Sequence, residues 1–230
     1  MTRRALSNPL ALAVLACLYE RPMYPYEITT TLRERGKDDS IRLNFGSLYS
    51  VIKSLEKHGF IAKVRAEREG KRPARQVYEI LRAGRVEAER WLREILSVPA
   101  KEYPDIEAGL SLVPMLSPAE VATLLRSRIA ALDTEIAERA QSLAQGAAQG
   151  LPELFMIETD YRLAMIRAER DWVATLAGRL DRGDVGGQQV WSELGRLRAA
   201  GATAEELDAT IARAISSPQR PTGAGGDAHT

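Results

Sequence analysis

Apolar residues recur at three- and four-residue spacing along most of this chain, the period of helices that bury one face. Leu10, Val14, Cys17 and Leu18 form the first such stripe, with Asn8 placed to cap a helix and Pro9 suited to its first turn. After a break at Arg21-Pro22-Met23, the stretch from Pro25 to Arg35 repeats the pattern with Tyr26, Ile28 and Leu32 as apolar contacts, and Gly36 stops it. A third helix is predicted within Asn44 to Phe60. At 100° per residue its Leu48, Val51, Ile52 and Leu55 share an arc of roughly 100°, while Ser50, Lys53, Ser54 and Lys57 gather on the opposite side. The period then changes. Phe60 to Val64 opens with apolar residues, and Gln76-Val77-Tyr78-Glu79-Ile80 alternates polar with apolar, as a half-buried strand does. Between these strands, residues 66–75 carry Gly70 for a turn and Pro73 to interrupt pairing. A fourth helix is predicted from Arg82 to Ser97, with Val86, Trp91, Leu92, Ile95 and Leu96, before Val98-Pro99 breaks it.

The second half is helical in pattern almost throughout. Ser117-Pro118-Ala119-Glu120 is a capping box opening a helix to about Gln145, with Val121, Leu124, Leu125, Ile129, Leu132, Ile136 and Leu143 at helical spacing. Pro152 to Leu180 forms another long pattern through Phe155, Tyr161, Met165, Ile166, Trp172, Val173, Leu176 and Leu180. Two such helices cannot bury their apolar faces on each other alone, which predicts packing on a second subunit. Asp181 to Gln188 reads as a linker, and Val190 to Ala199 and Thr203 to Ile215 as two short helices, the latter with Thr203 and Glu206 as a capping box. From Ser216 onward there is nothing to bury, and a disordered tail is expected. The pattern predicts a mainly α protein divided into residues 1–97, a helical region at 98–182, additional short helices at 183–215 and a tail at 216–230.

Charge separates the halves. The net charge of the 230 residues is +1, but residues 1–97 hold 19 Lys and Arg against 12 Asp and Glu, a balance of +7, and the remainder carries −6. A basic first half suits a polyanion, whereas an acidic second half does not extend that surface. One cysteine and two histidines leave little material for metal sites, and no disulfide can close within the chain, so no metal and no cofactor are expected. There is no phosphate-cradling glycine loop, and His58 has a structural reason to stand in the last turn of a helix, so an enzyme is not expected. No apolar run reaches the roughly 18 residues of a membrane span. Arg3 and Arg4 ahead of Leu10 to Leu18, with Val14-Leu15-Ala16-Cys17, have the look of a secretion signal. The capped stripe that runs on into folded-looking sequence favours a helix, with Cys17 in its core and the protein in the cytoplasm at the nucleoid.

Three helices followed by a two-stranded ribbon with a basic tip is the order of a winged helix-turn-helix, in which the third helix enters the major groove and ribbon cations reach the backbone. Lys53, Lys57, Lys71, Arg72 and Arg75 are the expected phosphate contacts, with Ser47, Tyr49 and Ser50 nearest the duplex. A winged helix that docks proteins without specific DNA binding is the alternative.

Pro22-Met23 followed by Tyr26-Glu27-Ile28, then Gly46-Ser47-Leu48-Tyr49, Leu55-Glu56-Lys57-His58-Gly59-Phe60-Ile61, Arg72-Pro73 with Tyr78, and Gly84-Arg85 together resemble the PadR family of bacterial transcription regulators, with matching spacing across residues 8–97. Two positions depart from that pattern. Tyr24-Pro25 stands where the family usually has His-Gly, and Leu81 where it usually has Thr. The resemblance implies a homodimeric winged-helix repressor of a palindromic operator, with a helical C-terminal dimerisation domain and in some members release by a small-molecule effector. The short helices at 183–215 exceed the familiar layout. Trp91, Tyr103, Met115 and Trp172 are the candidate lining of an effector pocket, with core packing as the competing role for Trp91.

Overall fold

The computed structural model describes residues 8–41, 45–67 and 75–216, and the chain forms two compact units, Met1–Glu102 and Tyr103–Thr230. In the first unit α1 spans Pro9–Glu20, and the Asn8 side chain accepts a hydrogen bond from the Leu10 amide at 3.0 Å. Helix α2, Pro25–Glu34, begins on a proline, and the Tyr24 amide donates to the Glu27 carboxylate at 2.8 Å. Helix α3 spans Phe45–Lys57 and ends where Gly59 takes a φ of 71°, a left-handed turn that suits glycine. Strands β1, Ile61–Glu67, and β2, Arg75–Ile80, pair antiparallel, with Ile61 opposite Ile80. The register slips between Lys63 and Arg65, leaving half-exposed Val64 as the extra residue of a bulge. Helix α4, Arg82–Ser97, closes the unit's elements.

One core joins them. Leu10, Val14 and Leu18 of α1 meet Ile28 and Leu32 of α2, Leu48, Ile52 and Leu55 of α3, Ile61 and Ile80 of the ribbon, and Trp91 of α4. The helix period therefore fixes which face of α3 turns inward. Met23, in the connection between α1 and α2, exchanges both backbone hydrogen bonds with Tyr78 at 3.0 Å, tying the ribbon to the helices. Arg85 donates to the Tyr19 carbonyl at 3.3 Å, and its guanidinium lies 4.5 Å from the centre of the Tyr19 ring. Leu81, the departure from the family's threonine, gives α4 no side-chain cap.

Cys17 is in this core, and burial pushes its thiol up to about 11. Because the unfolded thiol titrates near 9.0, the folded state holds a proton that the unfolded chain releases, so this group's contribution to stability falls as pH climbs from about 9 toward 11. Alkylation by iodoacetamide at pH 8 is expected to be slow in the native protein and fast in urea. Equal rates would show that the thiol is accessible.

The second unit contains α5, Asp105–Ser111, a 3-10 turn at Val113–Met115, then α6, Pro118–Ala148, and α7, Ile157–Arg182. Ser117 caps α6, its hydroxyl accepting from the Glu120 amide at 3.2 Å. A second 3-10 turn, Glu153–Phe155, precedes α7, so that helix starts later than the sequence pattern indicates. Helices α6 and α7 are antiparallel. Val121, Ala122 and Leu125 of α6 pack with Val173, Ala177 and Leu180 of α7, and Arg126–Asp181 at 2.9 Å and Arg170–Asp133 at 2.8 Å cross between them. These exposed ion pairs add little energy but agree with a single register. Helix α8, Gln188–Ala199, packs on α6 and the 3-10 turn, and α9, Ala204–Ser216, packs on α8 with Thr203 and Glu206 forming the capping box. The expected tail beyond Ser216 lies outside the described residues.

Candidate nucleic-acid interface

Helix α3 turns Leu48, Val51, Ile52 and Leu55 into the core, and the geometry of a 3.6-residue period carries the remaining side chains outward. Tyr49 is 54% exposed, and Ser50, Lys53 and Lys57 are exposed beside it, while Ser47 is half-buried at the start of the helix. The Ser50 hydroxyl donates to the Gly46 carbonyl at 3.0 Å, so in this rotamer its oxygen faces a ligand as an acceptor. Lys53 and Lys57 have no acidic partner among the described residues. The acid of this helix, Glu56, is bound to Lys63 of β1 at 2.9 Å, and that hydrogen bond holds the Lys63 ammonium above its ordinary value. Removing Glu56 from play leaves the outer face of α3 cationic. His58 closes the helix with its ring nitrogen 2.7 Å from the Ser54 carbonyl and stacks on Phe60 at 5.9 Å.

Arg75 opens β2 opposite Glu67. Its side chain, together with Lys71 and Arg72, lies outside the described residues. The structure thus brings Tyr49, Ser50, Lys53 and Lys57 onto one exposed surface, with Ser47 at its edge.

Tyr26 differs from expectation. It is 68% exposed in the first turn of α2, whereas Ile28 and Leu32 are buried. Tyrosine serves a core and a surface equally well, so helical spacing alone assigns it to the wrong side. Its position near a helix start adds a hydroxyl to the outer surface of the helix-turn-helix.

The four aromatic and Met residues proposed for an effector pocket do not behave alike. Trp91 is 1% exposed and belongs to the core of the first unit, the packing role named for it beside the pocket. Tyr103 and Met115 are each 80% exposed, and Trp172 is 53% exposed. Met115 stands at the edge of a half-open cleft of about 670 Å³ within the second unit, and Trp172 does not line it. The cleft is built by Leu180, Gln188, Trp191 and Gly195, none of which the sequence pattern singles out as a site residue. Among the described residues no cluster of three or more His, Cys, Asp or Glu side chains is placed to hold a metal ion, and no helix is long and apolar enough to cross a membrane.

Three helices, an antiparallel ribbon and a cationic third helix define the first unit as a winged helix-turn-helix domain. Residues 14–90 match the model of the transcriptional regulator PadR-like family. Similar folds include PadR of Bacillus subtilis in complex with operator DNA, 17% identical with a TM-score of 0.62 over 75% of this chain and 99% of that one. The same Bacillus protein in complex with p-coumaric acid is 17% identical, with a TM-score of 0.60 over 77% and 99%. The smu.1604c protein of Streptococcus mutans is 20% identical, with a TM-score of 0.51 over 74% and 98%. At these identities the likeness is one of fold. No curated protein sequence matches the chain.

Proposed function

We propose that this protein is a homodimeric transcriptional repressor that binds a palindromic operator in the cytoplasm and is released by a small-molecule effector. The observation that carries the reading is the outer face of α3, where exposed Tyr49, Ser50, Lys53 and Lys57 stand opposite a fully packed core face. In this role Lys53 and Lys57 neutralise phosphates, together with Lys71, Arg72 and Arg75 of the ribbon, and Ser47, Tyr49 and Ser50 approach base edges. Two such helices, related by a two-fold axis, read half-sites roughly 34 Å apart. The match of residues 14–90 to a regulator family and the fold shared with a Bacillus protein bound to operator DNA support it. A labelled duplex from the protein's own upstream region should be retained in a gel-shift against excess unrelated DNA. Equal competition by unrelated DNA would remove sequence-specific recognition and favour a docking scaffold.

Dimerisation rests on α7. Ile157, Tyr161, Met165 and Trp172 recur at helical spacing and are 45–66% exposed, an apolar stripe that a second copy of the chain would cover. The double substitution Tyr161→Glu and Met165→Glu should turn a dimer into a monomer in light scattering while preserving helical circular dichroism. A dimer that persists would place the interface elsewhere.

A further inference from the structure

The cleft of about 670 Å³ in the second unit lies between the 3-10 turn, the first turn of α6, the end of α7, and α8, and it has the size of a small-molecule site. Helix α8 builds one wall. At 100° per residue its Trp191, Gly195 and Arg198, all of which line the cleft, fall within an arc of roughly 60°. Trp191 is half-buried. It packs on the α6–α7 core, and its indole N–H donates to the Leu116 carbonyl at 2.7 Å, so the ring is held in one orientation. Gly195 follows one turn later. Its φ is not positive and a Cβ there would meet nothing within 4 Å among the described residues, so neither backbone conformation nor packing calls for so poor a helix former. Its missing side chain opens a gap in the stripe between Trp191 and Arg198, whose α-carbons stand about 10 Å apart along the helix axis.

Four ionisable side chains line the cleft, Glu120, Asp181, Arg196 and Arg198. Two are already matched. Asp181 accepts from Arg126 through both oxygens at 2.9 Å, and Arg196 is bound to Glu193 at 2.6 and 3.0 Å. The other two carry unmatched charge. Glu120 stands where a capping box would turn its carboxylate back to the Ser117 amide, as the Glu206 carboxylate accepts from the Thr203 amide at 2.8 Å in α9. In α6 only the Ser117 half of that exchange forms, and the Glu120 carboxylate has no partner among the described residues. Arg198 donates to the Pro114 carbonyl at 2.9 Å, a neutral acceptor that leaves its positive charge unmatched.

From the held ring, the gap and the two unmatched charges we infer that the cleft binds an aromatic zwitterion, whose ring lies against Trp191 while its ammonium pairs with Glu120 and its carboxylate with Arg198. The site is contained in the second unit and does not depend on the DNA-binding reading. The full chain is tested with 4-(aminomethyl)benzoate, a zwitterion at neutral pH, and with benzylamine and benzoate, which carry one of the two charges each. Proton–nitrogen spectra report on the indole N–H groups of the three tryptophans, the Trp191 signal being identified by its loss in Trp191→Phe. The zwitterion at millimolar concentration should move the Trp191 signal and leave those of Trp91 and Trp172 in place. It should bind roughly tenfold more tightly than either singly charged probe, the effect of one charge-assisted hydrogen bond. Glu120→Gln should remove that advantage over benzoate while leaving benzoate binding unchanged. Arg198→Gln, whose amide can still donate to the Pro114 carbonyl, should remove the advantage over benzylamine. Gly195→Leu improves helix propensity while filling the gap, so it should stay folded and lose the response. An unmoved Trp191 signal, equal binding of the three probes, or an unchanged response in folded Glu120→Gln or Gly195→Leu would each overturn the proposal.

Discussion

Gly84→Ala is expected to destabilise the first unit by about 3 kcal/mol, the upper range for forcing atoms into a packed core. A Cβ at this position would lie 2.2 Å from the Phe60 carbonyl oxygen and 2.9 Å from the Ile80 side chain. The first of these is backbone and cannot rotate away. It is also committed, because the Phe60 carbonyl accepts from the Leu81 amide at 2.9 Å where α4 begins. Relief of the clash would therefore separate α4 from the start of β1, and the Trp91 packing that α4 brings to the core would go with it. Taking about 4 °C per kcal/mol for a unit of this size, the thermal midpoint of the first unit should fall by roughly 12 °C. Gly59→Ala is a useful contrast: its Cβ meets nothing within 4 Å, and only the left-handed φ of 71° opposes it, so it should cost less, about 1 kcal/mol. A Gly84→Ala protein as stable as Gly59→Ala would show that the α4–ribbon approach is loose.

That close approach also explains why a family-like pair at Gly84-Arg85 is readable as a motif but not as a mechanism. The glycine allows two backbones to touch, and the arginine reaches the Tyr19 ring and carbonyl, 66 residues away in sequence. Such a long-range interaction has no periodic signal. By contrast, the inward arc of α3 is legible because four apolar residues on one side of a helix leave a single way to bury them. Helix α5 escapes the pattern for the opposite reason. It is seven residues long with no buried member, so no apolar stripe marks it. In α7 the sequence shows one apolar stripe, but the structure divides it. Val173 and Leu180 are buried against α6 and Ile166 is buried as well, whereas Tyr161, Met165 and Trp172 remain outside, because neighbouring positions on a crowded helix differ by 100° and a wide apolar arc serves two partners. The cleft is invisible to pattern altogether, since its walls meet only once α8 is laid against α6.

Replacing both Lys53 and Lys57 with alanine is expected to weaken operator binding roughly 10- to 100-fold at physiological salt and to reduce the slope of log affinity against log salt by about 1.8, or about 0.9 for each phosphate that is no longer neutralised. The two ammonium groups stand on the exposed face of α3 without an acidic partner among the described residues, so their removal orphans no buried charge and should change stability by less than about 0.5 kcal/mol. A weaker complex then reports the interface and not the fold. Tyr49→Phe and Ser50→Ala separate a second role from this one. They remove hydroxyls from the same surface without altering charge, so the salt slope should remain that of the parent protein while preference among operator variants narrows. For Ser50 the direction is more definite: with its proton given to the Gly46 carbonyl, its oxygen is an acceptor, which favours the exocyclic amino group of adenine or cytosine over the guanine O6. An unchanged slope in the double lysine variant would mean that α3 does not face phosphates, and the ribbon would then have to carry the electrostatic attraction alone.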